Sequence, residues 1–129
     1  MNKIITIYEL YVLARDQPVT DPILSEVISH AQENPGIKVK ELAEILHFQK
    51  DALSATVRVL TGMPLVIFLR QWRLLTAMEL LKDRSLSYRD VALRCAFTTV
   101  QSLSRFLCRR IRCTAFEYRE GHSNRHRRT

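Results

Sequence analysis

Between Ser87 and Arg119 the chain reads SYRDVALRCAFTTVQSLSRFLCRRIRCTAFEYR, and this stretch leaves few folds open. Tyr88, Val91, Ala92 and Cys95 recur at i, i+3, i+4 and i+7, the spacing that stacks side chains on one stripe of an α-helix. Ser87 followed by Asp90 is a capping box that starts this helix. Thr98 with Gln101 gives the same signal for a second helix, and Thr114 with Glu117 for a third. At about 100° per residue, Val100, Leu103, Phe106, Leu107 and Ile111 gather on one side of the second helix. Gln101, Arg105, Cys108, Arg109 and Arg112 fall on the other. A helix, a tight turn and a second helix with a basic outer face make a helix–turn–helix, whose second helix enters the DNA major groove. An arginine there can bridge O6 and N7 of guanine. The plainer meaning, arginines that only solvate a bundle, is outweighed by four of them between positions 105 and 112.

The pattern occurs twice. Val39–Leu46 predicts a short helix with Leu42, Ala43 and Leu46 inward, and after His47 and Phe48 a second helix runs from about Gln49 to Leu60. Leu53, Thr56, Val57 and Leu60 form its inner side. Ala43 aligns with Ala92 and Phe48 with Phe97; after a one-residue insertion, Leu53 aligns with Leu103 and Phe68 with Tyr118. A fixed offset of this kind is the mark of a tandem supersecondary unit. Upstream, Asp21 is an N-cap with Pro22 at the first helical position, and Ile23, Val27, Ile28 and Ala31 form a stripe that Asn34-Pro35-Gly36 ends. Pro64–Lys82 keeps helical spacing without a break, a rod of roughly 28 Å at 1.5 Å per residue. Successive major-groove faces lie about 34 Å apart, so one rod plus the width of the units can set both second helices in adjacent grooves.

The organisation that follows is all-α: an N-terminal extension over 1–20, a first helix–turn–helix unit over 21–62, a linker helix over 63–83, a second unit over 84–120 and a disordered basic tail over 121–129. Ile4, Ile7, Tyr8, Tyr11 and Val12 have helical spacing and are expected to pack on the body. Only three glycines and few alternating β-branched runs argue against strands.

Charge is unevenly placed. Residues 1–60 carry six Lys and Arg against eight Asp and Glu, a net −2, and residues 61–129 carry fourteen against five, a net +9. A basic half on a near-neutral half suits a polyanion, because neutralising phosphates releases counterions. No run of about 18 apolar residues exists, so no membrane span is expected. Glu9 and Arg15-Asp16 interrupt any secretory core, and three cysteines without C-x-x-C spacing fit a reduced, cytoplasmic protein. Cys95, Cys108, Cys113, His122 and His126 hold enough thiol and imidazole for zinc, but Cys95 lies on a buried stripe and Cys108 points outward, so no metal and no other cofactor is expected. Without paired carboxylates, a Ser/His/Asp set or a Gly-rich phosphate loop, no catalytic residue is assigned and the chain is not read as an enzyme.

Over about Asp21–Arg119 the chain resembles the AraC/XylS family of bacterial transcription regulators. The resemblance is carried by Leu42-Ala43, Leu53-Ser54, Thr61-Gly62, Arg73-Leu74, Ala77, Leu80-Leu81, Val91-Ala92, Phe97, Leu103-Ser104-Arg105 and Glu117-Tyr118-Arg119, with the spacing between them kept. It implies two helix–turn–helix units joined by a long helix, binding double-stranded DNA and recruiting RNA polymerase as an activator. With no room for a ligand-sensing domain, the chain is similar to the stand-alone, MarA/SoxS-like members, which act as monomers. It departs from the family at His47, Ala96 and Arg112, where glycine is usual, and at Ala115, where proline is usual. His47 in particular meets a turn that asks for positive φ. Ala55 stands where the family often has arginine, and Asp51 carries the wrong sign for phosphate.

The DNA-contacting set expected from these patterns is Lys50, Ser54, Arg58, Gln101, Ser104, Arg105, Arg109 and Arg112. Arg105 is the base reader, flanked by Gln101 and Ser104; Arg109 and Arg112 bind phosphate. Ser54 is the base reader of the first unit. The alternative is a protein-interaction module or antagonist that keeps the fold and has lost specific DNA reading, for which Asp51, Ala55 and the apolar N-terminal stretch speak.

Overall fold

The computed structural model describes residue 11 and residues 19–123. The expectations for the rest of 1–20 and for most of the tail lie outside the described residues. Seven α-helices and no strand are found among the described residues. They are α1 (Pro22–Glu33), α2 (Val39–Leu46), α3 (Lys50–Thr61), α4 (Leu65–Leu81), α5 (Tyr88–Arg94), α6 (Val100–Ile111) and α7 (Ala115–Ser123). The chain divides into two units, residues 1–73 and 74–129, and the boundary falls inside α4.

The first unit is built on α1 to α3 and the first half of α4. Asp21 caps α1 by accepting the Leu24 N–H at 2.9 Å, and Pro22 occupies the first turn, where a missing N–H costs nothing. α2 begins with the Glu41 carboxylate accepting the Lys38 N–H at 3.0 Å. Leu24, Val27 and Ile28 of α1, Leu42 and Ala43 of α2, Leu53 and Val57 of α3 and Leu65, Phe68 and Trp72 of α4 form one core. Tyr11 packs its ring on Trp72, with centroids 4.9 Å apart. Thr56 is only half-buried and Leu60 exposed, so the inner side of α3 is narrower than its spacing suggests.

The second unit repeats the plan with the last half of α4 and α5 to α7. Ser87 and Asp90 exchange the two bonds of the capping box, Asp90 N–H to Ser87 Oγ at 3.0 Å and Ser87 N–H to Asp90 Oδ2 at 3.1 Å. Thr114 and Glu117 do the same ahead of α7, at 2.8 and 3.1 Å. For α6 the expected cap shifts by one residue: Thr99, not Thr98, accepts from Ser102 N–H at 3.0 Å. Both threonines are competent caps in sequence, and the length of the preceding turn selects between them. Leu74, Ala77, Leu81, Val91, Ala92, Cys95, Phe97, Leu103 and Leu107 make the core, closed by Ala115 and Tyr118.

Arg119, buried in this unit, donates from Nε to the Leu81 carbonyl at 2.7 Å and from Nη2 to the Asp83 carbonyl at 3.1 Å. Its guanidinium lies 4.5 Å from the centre of the Tyr88 ring. One arginine thus satisfies the Leu81 carbonyl at the end of α4, adds a second donor to the Asp83 carbonyl that already accepts the Leu86 N–H, and ties α7 to both, a use of the fixed guanidinium fork that a point charge cannot reproduce.

Candidate nucleic-acid interface

The second helix of each unit starts and stops by the same devices. Before α3 the Phe48 N–H reaches back to the Ala43 carbonyl at 2.9 Å; before α6 the Phe97 N–H reaches the Ala92 carbonyl at 2.8 Å. Each bond closes the end of a short helix around a residue in the left-handed region, His47 at φ 59° and Ala96 at φ 65°. At the far ends Gly62 (φ 84°) and Arg112 (φ 61°) reverse the chain, their N–H groups bonded to the Arg58 and Cys108 carbonyls at 2.8 and 3.1 Å. Three of these four left-handed positions carry a side chain, which costs each on the order of 1 kcal/mol relative to glycine.

Ser54 and Ser104 have a structural partner inside their own units. Each stands at the edge of the outer face: Ser54 Oγ accepts the Leu65 N–H and Ser104 Oγ accepts the Ala115 N–H, each at 3.1 Å. Both serines are half-buried and serve the open N-terminus of the helix that follows. The paired Leu53-Ser54 and Leu103-Ser104 therefore form one structural device, a buried leucine beside a cap supplied from eleven residues upstream.

The remaining six candidates are exposed: Lys50 and Arg58 on α3, Gln101, Arg105 and Arg109 on α6, and Arg112 at its end. On α6, Gln101, Arg105, Cys108 and Arg109 occupy the side opposite Leu103 and Leu107. Arg110 behaves differently. Its guanidinium lies 3.9 Å from the centre of the Phe106 ring and its Nη1 donates to the Phe106 carbonyl at 3.1 Å. It shields an aromatic ring and a late helix carbonyl. The basic end of α6 also complements the helix dipole.

On α3 the same register holds Asp51 for Gln101, Ala55 for Arg105 and Val59 for Arg109. All three are exposed, and Val59 is 84% exposed. The two outer faces thus share a backbone and differ in chemistry. Cys113 lies half-buried against the second core, and burial, then Glu117 and Cys108, push its thiol up. No three His, Cys, Asp or Glu side chains among the described residues converge as metal ligands do. No single described helix is long and apolar enough to cross a membrane.

The geometry agrees with what the chain is similar to. The family described as Helix-turn-helix domain matches residues 42–121, more than half of the chain. The probable transcription factor PqrA of Proteus vulgaris is 28% identical over 102 residues, which cover 79% of this chain and 84% of that protein. Among solved structures, the DNA-binding domain of AdpA, a global transcriptional factor, in complex with a target DNA is 28% identical with a TM-score of 0.67. That match covers 84% of this chain and 97% of the AdpA domain. A DNA-binding transcriptional dual regulator from Escherichia coli K-12, at 19% identity, shares the fold with a TM-score of 0.67 over 84% of this chain and all of that one. With two capped helix–turn–helix units and this family match, the chain belongs to the AraC-type helix-turn-helix family of DNA-binding transcription regulators.

Proposed function

We propose that the protein is a bacterial, cytoplasmic transcription activator that binds duplex DNA as a monomer, sets α3 and α6 into adjacent major grooves and recruits RNA polymerase. The observation that carries the reading is the outer face of α6, where Gln101, Arg105 and Arg109 stand exposed on a capped helix with Arg112 beside them. In this reading Arg105 reads a base, Gln101 flanks it, and Arg109 and Arg112 hold phosphates. Lys50 and Arg58 hold phosphates around α3. Residues 21–62 and 84–120 act as the two DNA-binding units and 63–83 as the connector. The repeated turn and cap hydrogen bonds support giving α3 the same part as α6, and α4 running without a break into both units supports a tandem reader.

The test is selection of bound duplexes from a random library, followed by footprinting and transcription with purified polymerase. The expected result is a selected duplex bound at least about 10³-fold more tightly than random DNA. Protection should span two successive major grooves, and transcript yield should rise when the site lies upstream of a promoter. Binding that falls steeply with salt on every sequence, without a preferred one, is what phosphate contacts alone give. That outcome hands the lead to the protein-interaction or antagonist reading, which Asp51, Ala55 and the exposed Val59 favour.

A further inference from the structure

On the reading that α3 faces DNA, we infer that it selects against guanine on the strand it contacts. Asp51 accepts from the exocyclic amine of a cytosine or adenine, and Ala55, one turn on, packs against a thymine methyl. The two residues are exposed, lie four apart on one face, and hold the register that Gln101 and Arg105 hold on α6. That register is fixed from inside, by Leu53 and Leu103 in the cores and by the Ser54 and Ser104 caps on the following helices.

The chemistry of the groove then decides. A carboxylate offers acceptors only. In the major groove the exocyclic amines of cytosine and adenine donate, whereas O6 and N7 of guanine and O4 of thymine only accept. Asp51 facing guanine or thymine sets acceptor against acceptor and leaves a charge unpaired, which costs more than a lost contact. Ala55 has no donor, and its methyl matches the C5-methyl that among the four bases only thymine carries. Lys50 and Arg58, exposed on the same helix, supply the phosphate attraction that a lone carboxylate removes. The half-sites of the two units are then chemically opposite: α6 asks for a guanine, and α3 asks for an amine-bearing base and a thymine side by side on one strand.

The test uses the full chain and the duplex selected from the random library. In the half-site whose preference survives Arg105→Ala, the inference expects cytosine or adenine beside a thymine on one strand, the strand whose thymine methyl is read, and no guanine on that strand at those two steps. Replacing that thymine by deoxyuridine, which deletes only the methyl, should weaken binding about fourfold, the value of one buried methyl-sized group. The same exchange in the other half-site should change nothing. Ala55→Arg, at an exposed position, should abolish the uracil effect and bring guanine into the reselected site. Asp51→Asn should admit bases that the wild type rejects. A guanine selected by the wild type at those steps on the strand of the methyl-sensitive thymine overturns the inference, as does an unchanged affinity on uracil substitution. If uracil has no effect while Arg105→Ala still weakens a selected duplex, this inference falls and the DNA-reading function stands. If no duplex is preferred at all, both fall.

Discussion

α3 and α6 are both twelve residues long, both follow a left-handed turn closed by a phenylalanine N–H, and both bury a leucine three residues in. Their outer faces have parted. α6 carries Gln101, Arg105 and Arg109, and α3 carries Asp51, Ala55 and Val59 in the same register. Scaffold and outer face thus answer to different constraints. Core packing and backbone hydrogen bonding tolerate few substitutions at Leu53, Leu103, Ser54 or Ser104. An exposed position on a capped helix tolerates almost any residue, since surface changes away from such features move stability little. The repeat is therefore detectable in apolar and capping residues rather than in the residues of the outer faces.

The strongest test of scaffold equivalence lies in the cores. Leu53→Ala and Leu103→Ala each remove a fully buried leucine at the same register, and each should cost about 2–5 kcal/mol in urea unfolding. A negligible cost in one unit would break the equivalence. The reading surfaces should then separate. Arg105→Ala is expected to cost about 1–3 kcal/mol of DNA binding and relax preference at one base step, whereas Lys50→Ala or Arg58→Ala should weaken all duplexes alike. Full affinity in Arg105→Ala would mean that the outer face of α6 is not the reading face.

Smaller effects sharpen the comparison at the helix ends. Gly62 and Arg112 make the same reversal, one with a side chain and one without. Gly62→Ala should destabilise by about 1 kcal/mol. Arg112→Gly should stabilise by roughly half as much, because relief of the left-handed strain is partly offset by the freer unfolded chain. Thermal unfolding of the two variants, with opposite signs, checks both. The smallest expected effect is acid sensitivity in the second unit. The Ser87 N–H, then its hydroxyl, hold the Asp90 carboxyl below its ordinary 3.8, with Arg94 and Arg89 adding to this. Because the folded value is depressed, this contribution is complete above the unfolded value and is lost as pH falls through the folded one. Urea midpoints measured down the acid range should therefore decline less in Asp90→Asn than in the wild type. Asp83, lowered by its bonds from Ser85, declines in the same direction, so the flattening is partial.

Much of this architecture was legible from the spacing of apolar residues and from local caps. The seven helices of the described residues follow stripes and caps such as Asp21, Ser87 and Thr114, whose partners lie three residues away and are visible in sequence. The outward position of Arg105 and Arg109 follows from helical periodicity alone. The left-handed backbone at His47 and Ala96 was announced by glycine being the usual residue at those turns, and the structure keeps the conformation without the glycine.

The long-range hydrogen bonds were not legible. Ser54 and Ser104 sit at the edge of the outer face by angle, and only the packing of α4 and α7 shows that their oxygens are taken by N–H groups eleven residues on. Arg119 reads as one more cation of a basic half; its burial and its bonds to Leu81 and Asp83 depend on a chain segment more than thirty residues earlier. Arg110 falls beside Arg109 in sequence, yet the Phe106 ring takes it. The sequence by itself determined where helices begin, which faces are apolar and where positive charge accumulates, because these depend on neighbours within a turn or two. Which polar side chains remain for a ligand was decided only by the tertiary structure, because an open helix N-terminus or a buried carbonyl must be satisfied by whatever donor or acceptor folding brings to it.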